Sequence, residues 1–183
     1  MEKKLTGKKV AIIVSNGFEQ SEFEEPLKAL KKEGAEVDVI SLKKGKIKAW
    51  KDSNWGDAFD VGLSIEEADS SAYDALVLPG GVMNPDALRT NEDVIAFVKS
   101  FMEDEKPVAA ICHGPWTLIE TGLLRGRKMT SYKSIKTDLI NAGVQWVDKM
   151  VVVDEGLVTS RSPEDLPAFC AKMIEEIAEG VHH

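Results

Sequence analysis

The chain has 183 residues, 43% of them hydrophobic and 30% charged, with a formal net charge of −8. That length suits a single domain, residues 1–183, with a substantial core, and the balance is that of a globular chain and not of a low-complexity segment. The acidic excess argues against nonspecific nucleic-acid binding, which needs basic patches to displace phosphate counterions, and no apolar run is long enough for a signal peptide or a membrane span, so a cytoplasmic protein is expected.

In chain order, residues 8–15 read as a buried strand, about 21–32 as a helix ending at Gly34, and 35–42 as a second strand, which makes one βαβ unit. Residues 43–72 place Trp50 and Trp55 among Lys, Gly and Asp, and read as a hairpin or other excursion from the sheet; Lys43, Lys44 and Lys46 there read as a solvated loop. A strand over 75–78, a Gly80-Gly81 turn and a helix over 92–103 follow. Next comes an apolar strand, 108–111, that stops at Cys112-His113-Gly114-Pro115. Residues 129–130 read as a short strand, Ser134 as the N-cap of a helix to Asn141, and 145–147 as the start of another strand. A hairpin turns on Asp154-Glu155-Gly156, and Ser162-Pro163 caps a last helix running to about Glu179. The alternation predicts an α/β fold, a doubly wound, mostly parallel sheet with helices on both faces.

The stop at Cys112 is the layout of a nucleophile elbow, a sharp strand-to-helix turn that aims a side chain out of the core. Gly114 is expected to take the unusual backbone angle and Pro115 the first helical position. A thiol near the positive end of a helix is expected to ionise more easily than usual; the plain alternative is a small buried residue. Active sites in open α/β sheets gather beyond the carboxyl ends of the strands, so partners are sought in the loops after each strand. Glu19 precedes the first helix and either reaches the sulfur or caps that helix. Gly80-Gly81 leaves backbone N–H groups free to face an anion, with the His113 amide completing an oxyanion hole, or is simply a tight turn. His113 neighbours the nucleophile in sequence and needs a separate acid to orient it. Trp116 walls the pocket or packs at the helix start.

Other conspicuous residues read plainly. Cys170 shares one face of the last helix with Leu166, Phe169, Met173, Ile174 and Ile177, so it reads as an inert core thiol. The two cysteines form no C-x-x-C pair, and reduced thiols are expected. His182 and His183 read as a tail and not as ligands, and no cluster shows zinc spacing. Only Gly17 follows the first strand, which removes the G-x-G-x-x-G signature of dinucleotide binding. The region near the end carries Arg161-Ser-Pro-Glu164 where a class I glutamine amidotransferase needs His-x-Glu, and a cysteine at the elbow excludes a serine hydrolase. A cofactor-free, metal-free thiol enzyme acting on a small-molecule or peptide carbonyl remains.

Six ordered motifs, Asn16-Gly-Phe-Glu-Gln-Ser-Glu22, Leu76-Val-Leu-Pro-Gly-Gly81, Ala110-Ile-Cys-His-Gly-Pro115, Leu123-Leu-Arg-Gly-Arg127, Asn141-Ala-Gly-Val-Gln-Trp-Val147 and Thr159-Ser-Arg-Ser-Pro163, span nearly the whole chain. Together they resemble the DJ-1/PfpI family, specifically the PfpI-like branch of intracellular cysteine peptidases and deglycases. The resemblance implies a flavodoxin-like fold, Cys112 as nucleophile, and Glu19 as a carboxylic acid that hydrogen-bonds the sulfur while keeping its own proton. It also implies an oxyanion site lined by the Gly81 and His113 amides. In that branch a carboxylate from a neighbouring subunit completes a Cys-His-acid triad. The matching position falls in 82–88 and makes Asp86 the candidate, with one extra loop residue and Asp in place of Glu, so a homodimer or hexamer is implied. The expected activity is stress-protective hydrolysis of glyoxal-type adducts, deglycase-like or glyoxalase-like, or of peptide bonds. The rival of another class is a noncatalytic redox sensor or holdase that uses oxidation of Cys112.

Overall fold

Short apolar runs with β-branched residues pair into one seven-stranded sheet in the computed structural model, which describes residues 2–180; His182 and His183 lie outside the described residues. The first half of the chain forms β1 (Lys9–Ile13), α1 (Gln20–Lys32), β2 (Glu36–Ser41), β3 (Gly45–Lys51), β4 (Asn54–Val61) and β5 (Leu63–Ser64), then β6 (Ala75–Leu78), α2 (Met83–Leu88) and α3 (Glu92–Glu103). The second half forms β7 (Val108–Ile111), α4 (Pro115–Ile119), β8 (Lys128–Met129), α5 (Lys136–Asn141), β9 (Gln145–Trp146), β10 (Val151–Asp154), β11 (Leu157–Ser160) and α6 (Leu166–Glu179). The sheet order is β10-β11-β7-β6-β1-β2-β5, and every pairing is parallel except β10 with β11.

Because side chains alternate across a strand, each central strand feeds two cores. Val10 and Ile12 of β1 pack with Phe23 and Leu30 of α1 and with Phe169, Met173 and Ile177 of α6. Ala11 and Ile13 face the other way, toward Phe97 and Phe101 of α3, Leu118 of α4 and Leu139 of α5. A side chain such as Phe23, 1% exposed, contributes roughly 2–3 kcal/mol by leaving water. Two-sided burial is why these strands read as continuous apolar runs.

The excursion at 43–72 is an antiparallel hairpin of β3 and β4, paired outside the main sheet. It straps the loop after β1: the Gly17 amide donates to the Lys48 carbonyl at 2.8 Å and the Trp50 amide to the Phe18 carbonyl at 2.7 Å. Gln20 clamps Asp57, accepting from its backbone N–H and donating to its carboxylate, both at 2.9 Å. Phe18, Phe23 and Phe59 close the gap beneath, with ring centroids 4.9–5.8 Å apart.

Two expectations change. Residues 83–88 are helical as α2, where Pro85 inside the first turn costs no helical hydrogen bond. Ser134 is not an N-cap: residues 133–135 form a 3-10 turn ahead of α5, and neither start is capped by a side chain. Among the described residues, no helix is long and apolar enough to cross a membrane.

Candidate active site

β7 runs parallel between β6 and β11, and all three end at one edge. The ladder continues one residue past β7, where the Cys112 amide donates to the Ser160 carbonyl at 3.0 Å, and the Cys112 carbonyl accepts from the Tyr132 amide at 3.0 Å. Between these bonds Cys112 is held at φ +63°. A non-glycine residue in this left-handed region costs on the order of 1–2 kcal/mol, so the surrounding bonds must hold it there. The strain therefore sits on the cysteine itself. Gly114, expected to carry it, has φ −49°; its missing side chain instead lets the turn close, because a Cβ there would press on the Leu78 and Ile111 carbonyls.

Four groups surround the sulfur. His113 Nδ1 lies 3.2 Å from Sγ. The backbone amides of Gly81 and His113 are within hydrogen-bonding reach, and so is the Glu22 carboxyl. Gly81 has φ +77°, and a Cβ there would strike the Gly17 carbonyl and the Glu19 amide, so only glycine lets this amide face the thiol. The turn is pinned by Asn84, which is fully buried: its Oδ1 accepts from the Ser15 amide at 2.7 Å, and its Nδ2 donates to the Pro79 and Gly80 carbonyls at 3.0 Å. Asn84 was not singled out in the sequence, because its segment read as a loop.

The acid beside the sulfur is Glu22, which corrects the assignment to Glu19. Glu22 is 0% exposed, and its Oε1 accepts from the Gly80 amide at 3.0 Å. Burial, and secondarily the charge of Glu19, push its carboxyl up to about 8, so it keeps its proton at neutral pH. Oε2 is buried without a conventional hydrogen-bond partner. Glu19 stands at the N-cap of α1 with an extended backbone, bridged to Trp50 of the hairpin. Its carboxyl is half-buried and is raised by burial and then by Asp52. A signal for Glu22 existed in the sequence. Positions 22, 26 and 30 share one helical stripe, and a carboxyl on a stripe with Pro26 and Leu30 is out of place unless something requires it there.

The expected lowering of the Cys112 thiol is also corrected. Burial pushes it above its ordinary value, with the charge of Glu22 acting in the same direction against the Gly81 and His113 amides. With Glu22 protonated that charge is absent, but desolvation remains, and α4 is only five residues long, a small dipole to oppose it. His113, 7% exposed, is lowered by burial, with the charge of Asp138 opposing. The resting site thus pairs a neutral thiol with a neutral imidazole, a base ready to take its proton.

The imidazole is fixed from several sides. Tyr132 stacks on it with centroids 5.0 Å apart, and Trp116 meets it edge-on at 5.1 Å. Nε2 lies 3.1 Å from the Ser134 hydroxyl. Trp116 is itself held in place, tied by its Nε1 to Asp138 at 2.9 Å and covered by the Arg89 guanidinium at 5.1 Å. Asp86 is exposed on α2, and its carboxylate makes no hydrogen bond or ion pair with the site among the described residues of its own chain. A cavity of about 270 Å³ is lined by Tyr132, Trp146 and Arg161. A larger one of about 450 Å³, between Ile65 and Phe97, shares no residue with the site. Cys170 is partly buried on α6, with its thiol pushed up to about 12 by burial and by the charge of Glu25.

The profile of the DJ-1/PfpI family matches residues 8–176. General stress protein 18 of Bacillus subtilis is 49% identical over 164 residues, covering 89% of this chain and 94% of that one. Deglycase TK1284 of Thermococcus kodakarensis is 46% identical over 167 residues, covering 91% and 98%. Among solved structures, a two-domain protein of Anabaena variabilis containing DJ-1/ThiJ/PfpI-like and ferritin-like domains superposes with a TM-score of 0.88 at 40% identity, over 93% of this chain and 48% of that chain. This chain therefore spans about half of that two-domain protein, and its fold is the flavodoxin-like one. The chain belongs to the DJ-1/PfpI family.

Proposed function

We propose that this protein is a cysteine-dependent, cofactor-free hydrolase of the deglycase type, removing glyoxal-type adducts from amines or thiols in the cytoplasm as part of stress protection. One observation carries the reading: Cys112 is held at φ +63° with its sulfur among two backbone amides, His113 Nδ1 at 3.2 Å and the Glu22 carboxyl. The similarity to a deglycase and to a general stress protein supports it.

In this reading His113 takes the thiol proton as the sulfur attacks the electrophilic carbon of the adduct. The negative charge developing on the substrate oxygen falls to the Gly81 and His113 amides, which are fixed before the reaction begins. Glu22 keeps its proton and donates a hydrogen bond to the sulfur, steadying whatever charge it gains. His113 returns the proton to the amine or thiol, which leaves as the C–S bond forms, then moves one proton between the two carbons of the enzyme-bound hemithioacetal to give an α-hydroxyacyl thioester, and water hydrolyses that thioester, restoring the Cys112 thiol.

The test is turnover of the methylglyoxal adducts of N-acetylcysteine and N-acetyllysine by wild type and Cys112→Ala, beside a panel of fluorogenic peptides. Adduct turnover that vanishes in Cys112→Ala supports the reading. Peptide cleavage alone would make the enzyme a peptidase using the same parts. A clean oxidation of Cys112 by mild peroxide, with neither substrate consumed, would make it a redox sensor.

A further inference from the structure

His113 is held at both ring nitrogens from within its own chain. Nδ1 meets Cys112 Sγ at 3.2 Å and Nε2 meets the Ser134 hydroxyl at 3.1 Å. The segment that delivers this hydroxyl is the one that closes the elbow: the Tyr132 amide donates to the Cys112 carbonyl at 3.0 Å, its ring stacks on His113, and Ile135 is buried in the core. Ser134 is thus anchored on both sides while its own side chain is free of capping duty.

We propose that Ser134 is the positioning residue of His113, completing a Cys112-His113-Ser134 line inside one chain. The proposal rests on the assignment of Cys112 and His113 above and extends it to the group that orients the base. A hydroxyl both donates and accepts, whereas a carboxylate only accepts. Ser134 accepts from Nε2–H while Nδ1 is bare and facing the thiol, and donates to Nε2 when the ring proton sits on Nδ1. It therefore partners the imidazole in both neutral tautomers, so neither nitrogen is stranded in a largely dry site. A carboxylate would hold only the forms with a proton on Nε2. Ser134 also occupies the nitrogen that the partner subunit's Asp86 would need, so the two assignments compete for one atom.

The experiment compares wild type, Ser134→Ala, Ser134→Thr and Asp86→Asn, with folding checked by circular dichroism. Three readouts are taken: the rate of Cys112 alkylation by iodoacetamide, kcat and KM on the methylglyoxal adducts, and the ring ¹⁵N shifts of His113. Ser134→Ala is expected to slow alkylation and lower kcat by roughly three- to tenfold, the loss of one hydrogen bond. KM should stay within about twofold, the Nε2 resonance should move, and Ser134→Thr should restore all three. Alkylation and ring shifts need no substrate, so a wild type that turns over no adduct would defeat the proposed reaction and leave this test standing. The proposal is overturned by Ser134→Ala alkylating at the wild-type rate with unchanged ring shifts. It is equally overturned if Thr fails to rescue a slowed Ala variant, or if rate and ring shifts change only in Asp86→Asn, which would hand the nitrogen to the partner subunit's Asp86.

Discussion

The end of β7 and the middle of α6 each hold one cysteine, and burial pushes both thiols upward. Cys170 is the less buried of the two, yet among the described residues its sulfur has no hydrogen-bond partner, and only the charge of Glu25 acts on it besides burial. Cys112 is 8% exposed, strained at φ +63°, and ringed by an imidazole, two amides and a protonated carboxyl. In the proposed function, reactivity is a matter of which groups meet the sulfur and not of solvent access. The helix-dipole explanation for a reactive thiol does not apply here, since the following helix is too short to supply it.

The largest expected effect contrasts the two thiols directly: Cys112→Ala should remove adduct turnover by a factor of about 10³ or more, and Cys170→Ala should leave it within about twofold. Steady-state kinetics on the two variants checks this. Next come the two glutamates. Glu22→Gln keeps one N–H donor toward the sulfur but loses the acid, and should lower kcat by about 10- to 100-fold, whereas Glu19→Gln should cost less than about fivefold. An equal loss in both would return the acid role to Glu19. Asn84→Ala strands the Ser15 amide and two carbonyls, and should cost roughly 2–4 kcal/mol by urea unfolding while loosening the Gly81 amide.

A smaller effect appears in stability against pH. Glu22 is raised from 4.5 to about 8 in the folded protein. The native state therefore holds a proton that the unfolded chain releases, and the stability it contributes is complete below about pH 4.5 and is lost as pH rises through about 8. That slope amounts to a few kcal/mol. His113 is lowered, so it acts in the opposite sense, withdrawing stability as pH falls below its ordinary value. Urea midpoints of wild type minus Glu22→Gln, taken from pH 4.5 to 9, isolate the carboxyl, and the difference should shrink as pH rises.

Much of this molecule was legible beforehand, for reasons tied to particular residues. The runs 75–78 and 108–111 are apolar without break because both faces of those strands are covered, and α3 shows a regular stripe of Val94, Phe97, Val98 and Phe101. The elbow declared itself because Cys-His-Gly-Pro cannot continue a strand. The hairpin over 45–61 was legible only as an excursion, since its strands mix lysines and aspartates with the few inward residues Ile47, Ala49 and Phe59. Within the site, motif order pointed to Glu19, but choosing between Glu19 and Glu22 requires knowing where α1 starts: the N-cap residue turns toward the hairpin, and the first-turn residue turns toward the thiol. Ser134 was hidden for a similar reason, because a serine before a helix reads as a cap until the intervening 3-10 turn swings its hydroxyl onto His113.

The most direct measurement is competitive alkylation of the native protein with substoichiometric iodoacetamide at neutral pH, followed by peptide mass analysis of both cysteines. If the groups around the sulfur decide reactivity, Cys112 labels at least about tenfold faster than the more exposed Cys170, and the preference collapses on unfolding in urea. Labelling of Cys170 at an equal or greater rate in the folded protein would contradict the assignment of Cys112 as the nucleophile.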